Sequence, residues 1–272
     1  MNERPKFKFT PSTLSMHIKS EEIIRIEIEY HSGEIPPPYC HQFKIKLVFG
    51  KNFVNTQFDI KYLEREELSE EEIRNEGFTP DDDYSFVGEL PKLWEPLLKK
   101  LYSNSKWSHQ KMLDDEGGIK VLAKDKHGKI VRGVALNPEE WLYFSQELIQ
   151  GIYEISKKEA PLQIRYKVIE PQKTRLYELT FRFATRKFLF SINGRETILE
   201  WEEAKALLSN IYLPDYDYGI ASSSEPTKIG KYIDCGDGFW HEFGEGVINL
   251  DEGFNAKQKI QEEFERLSQL LP

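Results

Sequence analysis

Three segments in the first quarter of the chain alternate between apolar and polar residues. They are 24–30, 43–49 and 58–62, where every second residue is isoleucine, leucine, phenylalanine or tyrosine. Successive side chains of a β-strand point to opposite faces, so this period of two predicts antiparallel strands with one buried face and one wet face. This part of the chain must therefore form a sheet whose apolar face is covered by another layer.

The second half of the chain combines the periods of strand and helix. Residues 120–135 predict a hairpin with its turn at 126–129, and Asn137 and Pro138 then suit a helix cap and a first helical residue. The apolar stripe of the helix that follows recurs at spacings of three and four: Trp141, Phe144, Leu148, Ile152 and Ile155. Alternating segments return after Pro161, and Asn193-Gly194 predicts a tight hairpin turn.

Strands followed by a helix recur along the chain in runs of unequal length. This irregularity argues against a solenoid and favours two related modules. We predict the α+β class, with each module a curved antiparallel β-sheet backed by one or more α-helices. The first module is predicted over residues 1–110 and the second over 111–272, with a hairpin-helix extension at 226–272. Residues 104–115 are polar and are predicted to link the two.

Composition bounds the class of protein. The formal net charge is −9, and there are only two cysteines, Cys40 and Cys235, without metal-ligand spacing. No run of about 18 apolar residues predicts a membrane span, and residues 1–10 lack the apolar core of a secretory signal. We therefore expect no membrane partner and an intracellular protein, in the cytoplasm, the nucleoid or the nucleus.

Basic residues are concentrated in two parts of this acidic chain. Residues 117–135 contain five lysines and arginines against one aspartate, and residues 161–200 contain eight against four glutamates. A sheet face carrying such a row can follow a phosphate backbone, while exposed aromatic rings let bases stack. Trp107 and Trp240 lie outside the helical stripes and are candidates for such rings. Alternatively, these charges protect strand edges or pair with Glu170 and Glu178.

Two short segments carry a family resemblance. DKHGK at 125–129 and RGVALNPEEW at 132–141 resemble the C-terminal half of the Positive Cofactor Four family of transcriptional coactivators, to which Whirly proteins are similar in fold. The resemblance is strongest over residues 125–155. It implies a four-stranded sheet with a long helix that pairs with a second copy and grips single strands on its sheets. In this chain the pairing would join its two modules as a monomer, or two chains as a homodimer.

From these observations we predict a non-catalytic protein, associated with transcription, that binds single-stranded DNA or RNA on a basic sheet face. The predicted contact residues are Lys120, Lys124, Lys126, Lys129, Arg132, Arg165, Lys167, Arg182 and Arg186. The alternative is a protein-interaction or scaffold module whose acidic segment, residues 64–83, meets a basic protein partner.

The sequence lacks the Gly-x-Ser-x-Gly and P-loop patterns. The glycines at 236–238 and 244–246 are read as turns, because they do not join a strand to a helix as a dinucleotide site requires. Acid–base chemistry is a further alternative at the close-set residues Asp237, His241, Glu242 and Glu245. We predict no catalytic residue, no cofactor and no metal site.

Overall fold

The alternating segments form antiparallel sheets backed by helices, so the predicted α+β class is confirmed. The computed structural model describes residues 18–108, 117–250, 253 and 255–271. The chain divides into two compact units, Met1–Ser145 and Gln146–Pro272.

Within its described residues, 18–108 and 117–145, the first unit contains one seven-stranded sheet and three α-helices, of which the third continues into the second unit. Its strands are β1 (Ile23–His31), β2 (His41–Phe49), β3 (Phe53–Tyr62), β4 (Tyr84–Pro91), β5 (Trp107–Ser108), β6 (Gly118–Asp125) and β7 (Ile130–Ala135). Its α-helices are α1 (Glu70–Asn75), α2 (Trp94–Asn104) and α3 (Pro138–Ile155), and short 3-10 helices lie at Ser20–Glu22 and Arg65–Glu67. The strand order across the sheet is β4-β3-β2-β1-β6-β7-β5.

The second unit contains a six-stranded sheet and a separate two-stranded one. The larger sheet consists of β8 (Leu162–Glu170), β9 (Lys173–Arg182), β10 (Lys187–Ile192), β11 (Arg195–Leu199), β13 (Gly230–Asp234) and β14 (His241–Glu242). The smaller sheet pairs β12 (Asp215–Tyr216) with β15 (Val247–Ile248). The remaining elements are α4 (Trp201–Ile211), α5 (Ala256–Ser268) and a 3-10 helix at Phe183–Thr185.

The two large sheets share one topology. In each, four consecutive strands form a meander, a helix follows, and a later hairpin returns to pair with the first strand of the meander. The returning strands are β6 against β1 and β13 against β8, and a helix follows the hairpin both times. The prediction of two related modules is thus met at the level of strand order.

Helices cover one face of each sheet. In the first unit Trp94 of α2 meets Phe144 of α3 edge to face at 5.6 Å, and Trp141 is fully buried. In the second unit Trp201 of α4 and Phe264 of α5 join the core formed by Phe181 and its neighbours on the sheet. Burying a side chain of this size contributes about 1.5–3 kcal/mol, so the apolar stripes of the helices determine which sheet face is closed.

Two local expectations are corrected, and one strand was not predicted. Ile24 was predicted to face the core, but the pairing of β1 with β6 shifts register between Ile23 and Arg25, so Ile23 is buried and Ile24 is exposed. Pro138 does begin α3, whereas the side-chain oxygen of Asn137 is buried without a hydrogen-bond partner and so provides no cap. The edge strand β4 was not among the strands that the sequence predicted.

The predicted module boundary at residue 110 also differs from the observed division, which falls inside α3. The residues on both sides of that boundary, 109–116, lie outside the described part of the chain. β6 and β7 were assigned to the second module, but β6 pairs along its length with β1 of the first sheet. A hairpin that looks local in sequence therefore completes a sheet that began about a hundred residues earlier.

The acidic segment after β3 is organised by a buried arginine. The Arg65 guanidinium donates to the carbonyl oxygen of Thr79 at 2.5 Å and to the Asp82 carboxylate at 2.8 Å, and it lies over the Tyr62 ring at 3.9 Å. Burial disfavours the ionised form of Asp82, but hydrogen bonds from Thr79 and Arg65 outweigh it and hold the pKa of Asp82 below its ordinary value.

We expect Asp82→Asn to lower the free energy of unfolding by about 3 kcal/mol at neutral pH, because it leaves the buried Arg65 charge uncompensated. The native-state pKa of Asp82 is depressed, so its contribution is present above the unfolded-state pKa of about 3.9 and is lost as pH falls through the native-state pKa. Urea unfolding of both proteins at neutral and acidic pH measures this. If the two proteins differ in free energy of unfolding by an amount that stays constant with pH, the depressed pKa of Asp82 is contradicted.

Candidate nucleic-acid interface

The register of the seven-stranded sheet places one set of polar side chains on the face opposite α2 and α3. We call this surface the open face. Paired residues on neighbouring antiparallel strands project to the same side, and Glu29 pairs with both Lys44 and Lys120. The same reasoning along the sheet places seven basic and four acidic residues on the open face: Arg25, Lys44, Lys46, Lys61, Lys120, Lys124 and Arg132, with Glu27, Glu29, Asp59 and Glu89.

These basic residues extend over five adjacent strands, from β3 to β7. With neighbouring strands about 4.8 Å apart, they cover roughly 19 Å across the sheet. A cavity of about 440 Å³ lies at one end of the open face, lined by Lys44, Lys61, Lys120 and Asp59 among others. A second, of about 310 Å³, is lined by Lys46, Asn55, Val87 and neighbouring residues.

Part of this charge is neutralised by neighbouring carboxylates. The Lys44 ammonium lies 2.7 Å from Glu29 and 3.5 Å from Glu27, and Arg25 lies 3.2 Å from Glu27. The hydrogen bond to Glu29 is the main reason why the pKa of Lys44 is raised. Four cations of the open face have no carboxylate within ion-pair distance among the residues that the structure describes: Lys46, Lys61, Lys124 and Arg132.

Three of the five residues predicted in this unit lie on the open face, namely Lys120, Lys124 and Arg132. Lys126 and Lys129 lie in the hairpin turn instead, and the Lys126 ammonium is 3.6 Å from Glu22. The turn is organised by Asp125, whose carboxylate accepts from the backbone N–H groups of His127 and Lys129, each at 2.8 Å. The predicted basic hairpin thus supplies cations to the open face from its strands and not from its turn.

Sequence reasoning missed four basic residues of the open face, Arg25, Lys44, Lys46 and Lys61. Their alternation with apolar residues along β1, β2 and β3 was visible in the sequence. What the sequence did not provide was the pairing of β1 with β6, which puts them on the same face as Lys120 and Lys124.

The predicted basic row of the second unit is corrected by its ion pairs. Arg165 donates two hydrogen bonds to the Asp234 carboxylate, at 2.9 and 2.5 Å, and Asp234 is only 2% exposed. Lys167 pairs with Glu225 at 2.5 Å, which contributes to lowering the pKa of that glutamate. A phosphate would have to displace these carboxylates, so neither residue offers a ready contact.

Arg186 is corrected as well, because it lies on the helix-covered side. It follows the 3-10 helix at Phe183–Thr185, pairs with the buried Glu147 of α3 and lies over the Trp201 ring of α4 at 5.0 Å. Glu147 also accepts from the Trp201 indole at 2.8 Å. Of the four residues predicted here, Arg182 is exposed at the end of β9.

The two tryptophans expected to stack on bases are also packed inside the structure. Trp240 is 3% exposed and lies beneath the Arg165 guanidinium at 4.7 Å. Trp107 is half-buried, with its ring 5.7 Å from that of Trp141. Of tryptophan, tyrosine and phenylalanine, the register positions of the open face within the described strands include only Phe53, which is half-buried at the start of β3. Contacts there would be made mainly by charge.

The acidic segment 64–83, the basis of the alternative protein-interaction hypothesis, is partly used inside the fold. Glu72 completes a capping box with Ser69, Glu76 accepts from the Tyr39 hydroxyl, and Asp83 accepts from the backbone N–H of Tyr62. Other carboxylates of the segment are exposed: Glu64, Glu66, Glu67, Glu70, Glu71 and Asp81.

The residues considered for acid–base chemistry differ widely in exposure. His241 is 1% exposed, both its ring nitrogens are buried without a hydrogen-bond partner in the described structure, and its ring contacts those of Tyr216 and Tyr218. Asp237, Glu242 and Glu245 are exposed. Within the described residues no group of three or more histidine, cysteine, aspartate or glutamate side chains is placed to hold a metal ion. No described helix is both long and apolar enough to cross a membrane.

No protein-family model, curated protein or solved structure matches this chain.

The ion pair of Arg165 with Asp234 leads to a stability prediction. We expect Asp234→Asn to lower the free energy of unfolding by about 3 kcal/mol, because the partly buried guanidinium loses its counter-charge. Arg182→Gln, an exposed change on the neighbouring strand β9, should stay within about 0.5 kcal/mol of the wild type. Urea unfolding measures both. Equal stability of the two variants would contradict a structural role for this ion pair, and Arg165 would then count as available to a ligand.

Proposed function

We propose that this protein binds single-stranded nucleic acid without catalysis, through the open face of the seven-stranded sheet. The observation that carries the proposal is the surplus of cations on that face, together with the four that have no carboxylate partner among the described residues: Lys46, Lys61, Lys124 and Arg132. The resemblance of residues 125–155 to the Positive Cofactor Four family suggests the same class of ligand.

The chemistry available on the open face favours the sugar–phosphate backbone over the bases. Lysine and arginine neutralise phosphates and release condensed counterions, an effect that does not depend on sequence. Aromatic rings hold single strands by stacking in other proteins, but the described strands offer only the half-buried Phe53 on this face. The protein would therefore bind with little sequence preference and with strong sensitivity to salt.

The net charge of −9 opposes binding at long range. Screening confines this repulsion to about 8 Å at physiological ionic strength, whereas the cations of the open face would contact the strand directly. Lower salt lengthens the range of this repulsion, to about 30 Å at 0.01 M, but it also strengthens the counterion term of the direct contacts. We expect the direct contacts to outweigh the repulsion and give a modest affinity that is highest at low salt.

The test combines Lys46→Ala, Lys61→Ala, Lys124→Ala and Arg132→Ala in one variant. Fluorescence anisotropy of a labelled oligothymidylate, measured over a series of salt concentrations, gives the affinity and its salt slope. We expect more than a tenfold loss of affinity at low salt, and a slope of log K against log salt that is shallower by about 0.7 for each phosphate contact removed.

A matched variant removes the same amount of charge elsewhere. Lys19, Lys51, Lys100 and Lys228 are exposed residues outside the open face, and their combined change to alanine should leave most of the affinity in place. No binding by the wild-type protein at low salt, or equal losses in the two quadruple variants, would refute the proposal.

A further inference from the structure

A second surface, in the other unit, has the opposite chemical character. Between Tyr212 and Leu250, eight large apolar side chains are 41–66% exposed: Tyr212, Leu213, Tyr218, Ile220, Ile229, Phe239, Ile248 and Leu250. Exposed apolar side chains are typical of interaction sites where they lie together, and the contact between the Tyr218 and Phe239 rings brings two of these side chains together.

Three of these residues are aromatic, and two of them, Tyr218 and Phe239, contact one aspartate. The Tyr218 hydroxyl donates to the Asp237 carboxylate at 2.6 Å, and the Tyr218 ring meets that of Phe239 edge to face at 6.0 Å. Asp237 also accepts from the backbone N–H of Phe239 at 2.9 Å, so its carboxylate is held in place. Tyr212 is anchored nearby by its hydroxyl, which donates to the carbonyl oxygen of Cys235 at 2.7 Å. We call this group of four residues the aromatic–acidic cluster.

The segment that carries the cluster is acidic. Residues 212–250 contain seven acidic residues and two lysines. Asp234 and Glu225 are neutralised by Arg165 and Lys167, whereas Asp215, Asp217 and Asp237 have no basic partner among the described residues. The hydrogen bond to Asp237, with burial as a second cause, raises the pKa of Tyr218 to about 12.

The same unit already contains one cation that is bound by both an aromatic ring and an aspartate. The Arg165 guanidinium lies over the Trp240 ring at 4.7 Å and is bound by the Asp234 carboxylate, so one cation joins an aromatic face and an aspartate. In the aromatic–acidic cluster the ring and the aspartate are exposed, and no described side chain supplies the cation. Aromatic faces attract guanidinium and ammonium groups, and more strongly when a carboxylate is at hand.

We propose that Tyr212, Tyr218, Phe239 and Asp237 form a docking site for an arginine side chain of a partner polypeptide. The guanidinium would lie against the rings of Tyr218 and Phe239 and donate to Asp237. Arginine is preferred over lysine because its planar group stacks on rings and binds a carboxylate through two donors. The site concerns the second unit and does not depend on the nucleic-acid proposal.

The probe is a fluorescein-labelled Gly-Ser peptide that contains arginine, compared with the same peptide carrying citrulline, a neutral analogue of similar shape. We expect the arginine peptide to bind the full-length protein at low salt and the citrulline peptide to bind at least about tenfold more weakly. Tyr218→Leu should weaken binding about fivefold, by loss of the cation–ring contact. Asp237→Asn should weaken it about tenfold, by loss of the charged acceptor.

Matched controls come from the first unit. Tyr39 is also an exposed tyrosine that donates to a glutamate, Glu76, but its neighbour Phe78 is already covered by the Arg65 guanidinium at 4.8 Å. Tyr39→Leu, and Glu71→Gln on an exposed stretch of α1, should each change the affinity by less than about twofold.

Tyr218→Phe separates a binding effect from a folding effect. It keeps the ring and removes only the hydroxyl, so peptide affinity should stay within about twofold of the wild type, while circular dichroism confirms the fold of every variant. Failure of the arginine peptide to bind at low salt would overturn the proposal. So would equal affinity for the citrulline peptide, or equal losses in the Tyr218→Leu and Tyr39→Leu proteins.

Discussion

Each sheet depends on a pairing between strands that are far apart in the chain. β1 meets β6 after an intervening meander and helix, and β8 meets β13 in the same way. Because side chains alternate along a strand, each register determines which face every residue of the returning strand occupies. In the first sheet, the pairing of β1 with β6 puts Lys120 and Lys124 on the same open face as the cations of β2 and β3.

The role of a basic residue here depends more on whether a carboxylate binds it than on its position on a strand. Arg165 and Arg132 both sit on the polar side of an alternating strand, but Arg165 is bound by the buried Asp234, whereas Arg132 faces Leu122 across the strand pair. An arginine beside a buried carboxylate is held there, since separating the two leaves a charge in a medium of low dielectric constant. The Arg165–Asp234 pair therefore holds that arginine in the fold, whereas Lys46, Lys61, Lys124 and Arg132 of the first sheet have no carboxylate partner among the described residues.

The net charge of this chain does not describe either candidate surface. One sheet face carries more cations than carboxylates, while residues 212–250 of the other unit are acidic and rich in exposed apolar side chains. We therefore propose a different partner for each surface, a nucleic-acid strand for the open face and an arginine-bearing polypeptide for the aromatic–acidic cluster.

The sequence by itself determined the local elements. The period of two in 43–49, the Asn193-Gly194 turn between β10 and β11, and the stripe from Trp141 to Ile152 each depend on neighbouring residues alone, and all three are confirmed. Only the tertiary structure decided that β6 belongs to the first sheet and that Asp234 binds Arg165. It also decided that Tyr218, Phe239 and Asp237 contact one another. These facts depend on contacts between residues distant in sequence, and such contacts leave no periodic trace in the sequence from which they could be predicted.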